Sequence, residues 1–441
     1  MKPFIVAASL LAVSVGLQGC DQGRKTPPKT HVVVVNAVPS YSGIDFLRVR
    51  RTEASLQYKA GSIFDFDADQ YDFHVQHTPA GETTPQDLAS FSKTLLADTD
   101  YAFVLTEQSG KVEPLIVETP AFDAASGDAQ VLFVHADESL GAVDIYLQPP
   151  GTDLTTVMPL DGLDFLAHGE PSAQPAGDYV LTLTAPQDPA TVLLESPKLT
   201  LDAGSANLFV VVPDAGQGLA DINVVQQNEG STILIDRHTR SALRVINGVG
   251  DAMPRDVYVD GDFSAPSYAA VPYAAPSTYE TLTRGSHDLS VTPTGNVSAV
   301  ELEESVSLAI GTLSTYLFAG DSNGLSSTLI HEDHRRLADA ARLQILDAAT
   351  AFDGLSFYVT GPDTDVSTVL PQTQLSAPGA SQSALFAPGD YKLTVVDAST
   401  GTTVGGPMTI TLEAGGLYGI LAGNDAADPA LADIVLLDDF N

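Results

Sequence analysis

Tryptophan is absent from the 441 residues, and cysteine occurs once, at Cys20. A single thiol excludes an intramolecular disulfide and any multi-cysteine metal site. Basic residues are scarce: 20 Lys and Arg stand against 56 Asp and Glu, a formal charge of −36. Such a chain lacks the basic face that a phosphate backbone requires, so nucleic acid is not an expected partner. Catalytic signatures are missing as well. There is no G-x-S-x-G, no glycine-rich phosphate loop opening a helix, and no arrangement of histidines that recurs along the chain. The expectation is a protein without catalytic residues and without a cofactor. The alternative, an enzyme, would need a site built by the loops of one segment only.

Long apolar runs are also lacking, with one exception. Residues 4–17 are uninterrupted by charge. They are too short for a bilayer span of about 20 residues, but they suit the apolar region of a signal peptide. The run ends in Leu17-Gln18-Gly19-Cys20, which resembles a bacterial lipobox. The reading is a lipoprotein signal peptide over 1–19, lipid attachment at Cys20, and a polar, proline-containing tether over 20–30. Acyl chains on Cys20 would anchor the protein stably. That places it in a bacterial cell envelope, periplasmic or on the surface, with the membrane as partner through the N-terminal lipid.

The remainder repeats itself. A branched-aliphatic opening recurs as VVVVN, VLFVH, LRVIN and LQILD, with Asn36, His135, Asn247 and Asp347 in one shared position. A middle element recurs as DQYDFHV, GDYVLTL, GSHDLSV and GDYKLTV, and a late element as LADTDYAFVL, LDAGSANLFVV, LAIGTLSTYLFA and LEAGGLYGILA. The period is near that of a whole small domain. Copies two and four match best, at Tyr146-LQPPGTDLTTVMP and Tyr358-VTGPDTDVSTVLP, while copies one and three share Tyr58-x-x-x-Ser62 and Tyr273-x-x-x-Ser277. The order is therefore A-B-A′-B′. Within each copy apolar residues alternate: Tyr179, Leu181 and Leu183 should face one side, Val180 and Thr182 the other. No amphipathic helix is convincing; the best candidate, 335–343, is short. About seven strands per copy predict an all-β chain of four tandem immunoglobulin-like β-sandwich domains, at 31–119, 130–228, 242–332 and 341–439.

The opening strand, the turn into an Asp-bearing strand, the Gly-Asp-Tyr strand and the Leu-x-Ala-Gly-x-x-Tyr strand resemble the bacterial domain of unknown function numbered 4397. Copy one departs at Asp69-Gln70 and copy three at His287. The resemblance implies tandem domains in envelope or surface proteins, often lipoproteins. It implies no activity and no functional residue.

Five groups of residues carry potential chemistry. Asp65, Asp67 and Asp69 have the i, i+2, i+4 spacing of hard oxygen ligands and are a weak calcium candidate, since the sixth and twelfth positions are Gln70 and Gln76. In a strand the same spacing gives one solvated acidic face, and no metal is the expectation. His331-Glu332-Asp333-His334 is a second metal-like cluster, read as a solvated junction. The basic residues of the junctions, Arg237, Arg240, Arg244, Arg335, Arg336 and Arg342, should lie against acidic neighbours. The recurring Asp45, Asp144 and Asp256, with Ser356 in copy four, should bond turn amides. Tyr101, Tyr179, Tyr316, Tyr391 and Tyr418 should be core or strand-corner residues. The expected role is non-catalytic binding or adhesion to an envelope glycan or protein; the alternative is a structural spacer or assembly protein.

Overall fold

The computed structural model describes residues 28–123, 127–251, 253–321, 324–376 and 379–437. These form four β-sandwiches in chain order. In the first, the strands are β1 (Lys29–Asn36), β2 (Ile44–Arg48), β3 (Arg51–Leu56), β4 (Gly61–Asp67), β5 (Gln70–His77), β6 (Gln86–Thr94), β7 (Thr99–Gln108) and β8 (Lys111–Pro120). One sheet has the order β4-β1-β7-β8, the other β3-β2-β5-β6. The β1–β7 contact is parallel and the rest are antiparallel.

The same two-sheet order recurs in all four domains. Domains one, three and four carry eight strands rather than seven, and domain two has ten because the β6 counterpart is split at Ser196-Pro197 and a further strand, Ser231–Ile235, extends its β1-type sheet. That extra strand lies between the two domains expected at 130–228 and 242–332. Residues 335–340 are not helical; they run as an extended segment and turn into the strand Ala341–Asp347. Domains two and four share a 3₁₀ turn, Leu154–Thr156 and Val366–Thr368. Asp153 and Asp365 cap the two turns, accepting from the Thr155 and Ser367 amides. This feature marks them as the B-type copies.

Alternation decides which face each strand buries. In β1, Val32 and Val34 enter the sandwich core with Phe46, Phe73 and Phe103. Val35 and, on β7, Ala102 and Val104 point out of that sandwich, yet they are buried too. They pack against Leu132, Val134, Leu208 and Val210 of domain two in a separate apolar layer. The β1-type sheets of domains one and two thus stack face to face, and each strand at the contact is covered on both sides. Strands covered on both faces read as continuous apolar runs, which is why VVVV and LFVVV show no polar alternation. Domains three and four repeat the arrangement through Ile246, Leu317, Ala319, Leu346 and Leu421. Each side chain such as Val104 or Leu421 contributes roughly 1.5–3 kcal/mol by leaving water.

The two pairs also touch. Leu219 N donates to the Gly311 carbonyl at 2.8 Å, His334 N to Gly216 O at 3.0 Å, and Ala338 N to Ser40 O at 2.8 Å. His77 Nε2 lies 2.7 Å from Asp339 Oδ2, and Arg335 donates to the Tyr41 carbonyl at 3.2 Å with its guanidinium over the Tyr58 ring. The segment between domains three and four is therefore docked on domains one and two.

Candidate binding cleft between paired domains

The position shared by Asn36, His135, Asn247 and Asp347 sets the register for comparing the copies. All four are buried, and each accepts from the amide two residues ahead: Asn36 Oδ1 from Val38 at 2.9 Å, His135 Nδ1 from Asp137 at 3.3 Å, Asn247 Oδ1 from Val249 at 3.0 Å, Asp347 Oδ1 from Ala349 at 3.0 Å. The bond fixes the chain as it leaves the first strand. The other half of the side chain differs. Asn36 Nδ2 donates to Leu56 O at 3.0 Å, Asn247 Nδ2 to Met253 O at 2.9 Å, and His135 Nε2 to Gly141 O at 3.0 Å. A carboxylate has no such donor, and burial pushes the Asp347 pKa up to about 7.

With that register, the outward faces of the two pairs can be compared. Between domains one and two the stacked sheets splay into a cleft of about 530 Å³, within the range of small-molecule sites. Its floor is Val33, Ala102, Leu132 and Leu208. In the second pair the same positions hold Arg244, Thr315, Gln344 and Gly419, and what remains open there is about 80 Å³. Arg244 is 1% exposed. Its Nη2 donates to Glu332 Oε1 at 2.8 Å, its Nε to Thr315 Oγ1 at 2.8 Å, and its guanidinium lies over the Tyr279 ring. Tyr279 donates its hydroxyl to Glu332, and His334 Nε2 is 3.1 Å from the same carboxylate. Burial alone would raise the Glu332 pKa, but the His334 and Arg244 contacts outweigh it and hold it low. One cleft is open and the other is plugged by a satisfied ionic network.

The rim of the open cleft is polar. Asn207 is 3% exposed; its Nδ2 donates to Ser205 Oγ at 2.9 Å and its Oδ1 accepts from Gln226 Nε2 at 2.9 Å. Asp100 accepts from the Phe122 amide at 2.9 Å, and Asp202 and Glu229 add negative charge. No Lys or Arg is among the described residues that line it. The site therefore offers an apolar floor and amide and carboxylate acceptors, with His31, which faces Asp65, as the one basic side chain among the described residues that line it.

The predicted positions are placed as follows. Cys20, with the leader and most of the tether, lies outside the described residues. Asp65 and Asp67 stand on β4, each facing a basic side chain of β1: His31 Nδ1 is 2.5 Å from Asp65 and Lys29 Nζ is 2.7 Å from Asp67. Asp69 is in the following turn and accepts from the Gln70 amide at 2.7 Å. The three carboxylates do not converge, and no group of three His, Cys, Asp or Glu suited to a metal occurs among the described residues. His331 and His334 also part, the first meeting Ser314 Oγ at 3.2 Å and the second Glu332. The recurring aspartates lie within strands and bond as expected in two copies: Asp144 accepts from Gln187 N at 2.6 Å, Asp256 from Ala270 N at 2.7 Å and Gly295 N at 3.0 Å. Asp45 instead accepts from the Ser55 hydroxyl.

Tyr71, Tyr179 and Tyr391 are one strand-corner residue. Each donates to the carbonyl four residues back, Asp67 at 3.1 Å, Pro175 at 2.8 Å and Ala387 at 2.8 Å. His287 makes the equivalent contact to Thr283 O at 2.7 Å and places Nδ1 2.8 Å from Asp260. Tyr101 and Tyr418 form a second corner, accepting from the Leu96 and Glu413 amides at 3.0 and 3.1 Å. Tyr316 does not belong with them. The parallel register sets it opposite Val245, where Phe103 stands opposite Val34, so it is a core residue. Of the junction arginines, Arg237 pairs with Glu195 at 2.8 Å, Arg244 with Glu332 and Arg342 with Asp333 at 2.9 Å. Arg240 and Arg336 reach the Thr281 and Gly415 carbonyls.

Sequence reasoning missed the cleft because its floor residues look like any apolar strand. A signal existed. Aligning the copies places Arg244 and Gln344 where Val33 and Leu132 stand, a polar change at positions that should have been exposed. It also missed a repeated apolar tip: Met158 and Leu370, at matching places in the two B-type domains, are 82% and 89% exposed.

The chain belongs to the family described as Domain of unknown function (DUF4397), whose model matches residues 30–146 and 241–358. Each match spans an A-type domain and enters the B-type domain after it. No curated protein matches. Among solved structures, the Bacillus anthracis TIE protein is similar at 9% identity and a TM-score of 0.16, covering 89% of this chain and 68% of that one. CBMbc (family CBM26) from Eubacterium rectale Amy13K, solved with maltoheptaose, is 13% identical with a TM-score of 0.16 and covers 45% and 96%. BcpA, the major pilin subunit of Bacillus cereus, is 9% identical with a TM-score of 0.15 and covers 68% and 99%.

Proposed function

We propose that this is a lipid-anchored envelope protein with a non-catalytic binding or adhesion role, and that domains one and two bind the ligand in their shared cleft. The observation that carries the reading is the contrast between pairs: the same sheet-on-sheet interface is open over Val33, Ala102, Leu132 and Leu208 and plugged by Arg244 in its duplicate. The absence of Lys and Arg from the lining favours a neutral glycan or peptide over an anionic polymer. The plugged pair supports a second role as spacer, since an ionic network fills its cleft and the segment between its domains is docked on the first pair.

The test is binding of the mature protein to fractionated envelope polysaccharide and envelope protein. Val33→Arg, which copies Arg244 into the open cleft, should abolish capture without unfolding the chain. Undiminished capture by that variant would sink the cleft as the site. Anchoring is tested separately: mass spectrometry should find acylated Cys20 at the mature N-terminus, and Cys20→Ser should leave the membrane fraction.

A further inference from the structure

Lys59 is an unusual residue for a turn. It follows β3, adopts a φ of 67° and is 3% exposed. Its ammonium reaches across the pair interface to domain two, where Nζ lies 3.3 Å from Asp214 Oδ1 and 3.4 Å from the Asp214 carbonyl. The same Oδ1 accepts from Asn223 Nδ2 at 2.8 Å. Asn223 is fully buried, and its Oδ1 has no hydrogen-bond partner among the described residues. An amine, a carboxylate and a carboxamide therefore stand in a row, with one carboxylate oxygen touching both of the others. Tyr58 covers the site, its ring centroid 5.1 Å from Nζ, so bulk water is kept away.

We propose that Lys59 and Asn223 join in a self-formed amide bond that cross-links domains one and two, with Asp214 carrying the proton. In the buried pair, Asp214 takes a proton from the Lys59 ammonium and frees the amine lone pair. Nζ attacks Cγ of Asn223, forming the C–N bond. Asp214 then returns its proton to the departing Nδ2 as the Cγ–Nδ2 bond breaks. One of the two protons left on Nζ leaves with it and the other stays as the amide N–H, so the released group is ammonium and Asp214 is a carboxylate again. Atoms, charge and electrons balance without an oxidant, a cofactor or an outside reactant. Burial lowers the Lys59 pKa, against the opposing pull of Asp214, which eases the first transfer. Holding the three groups together supplies the high effective concentration that amide exchange requires.

The second pair provides an internal control. The positions matching Lys59 and Asn223 are Ala274 and Asp433, so no such bond can form there. The cross-link is a property of the pair that holds the open cleft.

The experiment is peptide mapping by mass spectrometry of the full purified chain. The expected result is a branched peptide whose mass is the sum of the Lys59 and Asn223 peptides less one ammonia, and faster migration of the intact chain on a denaturing gel. Lys59→Ala, which reproduces Ala274, and Asp214→Ala should each restore the two linear peptides and normal migration. Recovery of both linear peptides in full from the wild-type chain overturns the proposal, whether or not either variant folds. A branched peptide that persists in Lys59→Ala overturns it as well. Neither result bears on ligand capture by the cleft.

Discussion

Asp347 is the one member of its set that cannot donate a hydrogen bond when ionised, and it is 1% exposed. Replacing it with Asn restores the group that Asn36 and Asn247 carry in domains one and three. The magnitude follows from its pKa, which burial raises from 3.8 to about 7. That gap corresponds to roughly 4 kcal/mol of penalty on the charged folded form. The sign is fixed by which state holds the proton more tightly. The folded domain does, so the wild type loses stability as pH rises from 3.8 through about 7. Asp347→Asn carries no such charge. Its advantage over wild type should therefore be small at pH about 4 and approach, as an upper value, ~4 kcal/mol above pH about 8. Taking the difference between the two chains cancels the titration of the other carboxylates. The assay is denaturant unfolding at both pH values, read by hydrogen exchange of amides in Ala341–Asp347 so that domain four is followed alone. A stability difference that does not change with pH, or an Asn variant less stable than wild type at pH about 8, would refute the reasoning.

Further expectations come from other contacts. His287 sits between Asp260 and the Thr283 carbonyl; burial opposes its charge, but those two acceptors outweigh it and raise its pKa above 6.5. Domain three should hold this contribution below pH 6.5 and lose it as pH rises through the folded value, and His287→Tyr should flatten that dependence in a thermal melt series. Tyr179→Phe removes the hydroxyl bond to Pro175 and should cost about 1 kcal/mol, while Tyr179→Ala should cost ~3 kcal/mol or more, as measured by domain-two unfolding. Glu332→Gln strands Arg244 in the filled interface and should cost domains three and four about 3–5 kcal/mol; Arg244→Met with Glu332→Gln should recover much of it. Gly218→Ala would place a methyl against the Gly311 carbonyl; limited proteolysis between the two domain pairs should accelerate.

Strand periodicity was legible because it is local. Tyr179, Leu181 and Leu183 do line the core of domain two, and the A-B-A′-B′ order appears as shared 3₁₀ turns in the B-type copies. The A-type tyrosines proved to be inter-domain residues: Tyr58 donates to the Pro213 carbonyl at 2.6 Å, and Tyr273 packs in the layer between domains three and four. Nothing in their spacing shows this, because the partner surface lies in the next copy. Tyr316 is a core residue, one of the two placements expected for it; it shares a motif with Tyr101 in sequence, while strand register, set by parallel pairing, moves it by two residues. In the acidic triplet the sixth and twelfth ligand positions are already lacking in the sequence, whereas the β1 side chains that face two of the three carboxylates, Lys29 and His31, are brought there only by strand pairing.

Two separate matches to one family model in a chain of four sandwiches invite a picture of four independent beads, but the packing argues for two units of two. The β1-type sheet of each domain is apolar on its outer face, so a lone domain would expose a layer such as Val35, Val104, Val134 and Val210 to water. Patches of that extent are rarely left uncovered, so the smallest stable piece should be the A-B pair. Duplication of the pair then frees one copy to change. The outer positions of the second pair hold Arg244, Glu332 and Tyr279, which close its interface, while the first holds Val33, Thr119 and Ile63 at the same register and has an open cleft. Dividing the chain between Ile235 and Ser241 would leave both pairs intact, whereas dividing it between domains one and two should leave neither half soluble. Expression of 28–240 against 28–123 decides it: a folded, monomeric pair beside an aggregated single domain is the expected outcome, and a stable single domain would show that the outer face needs no partner.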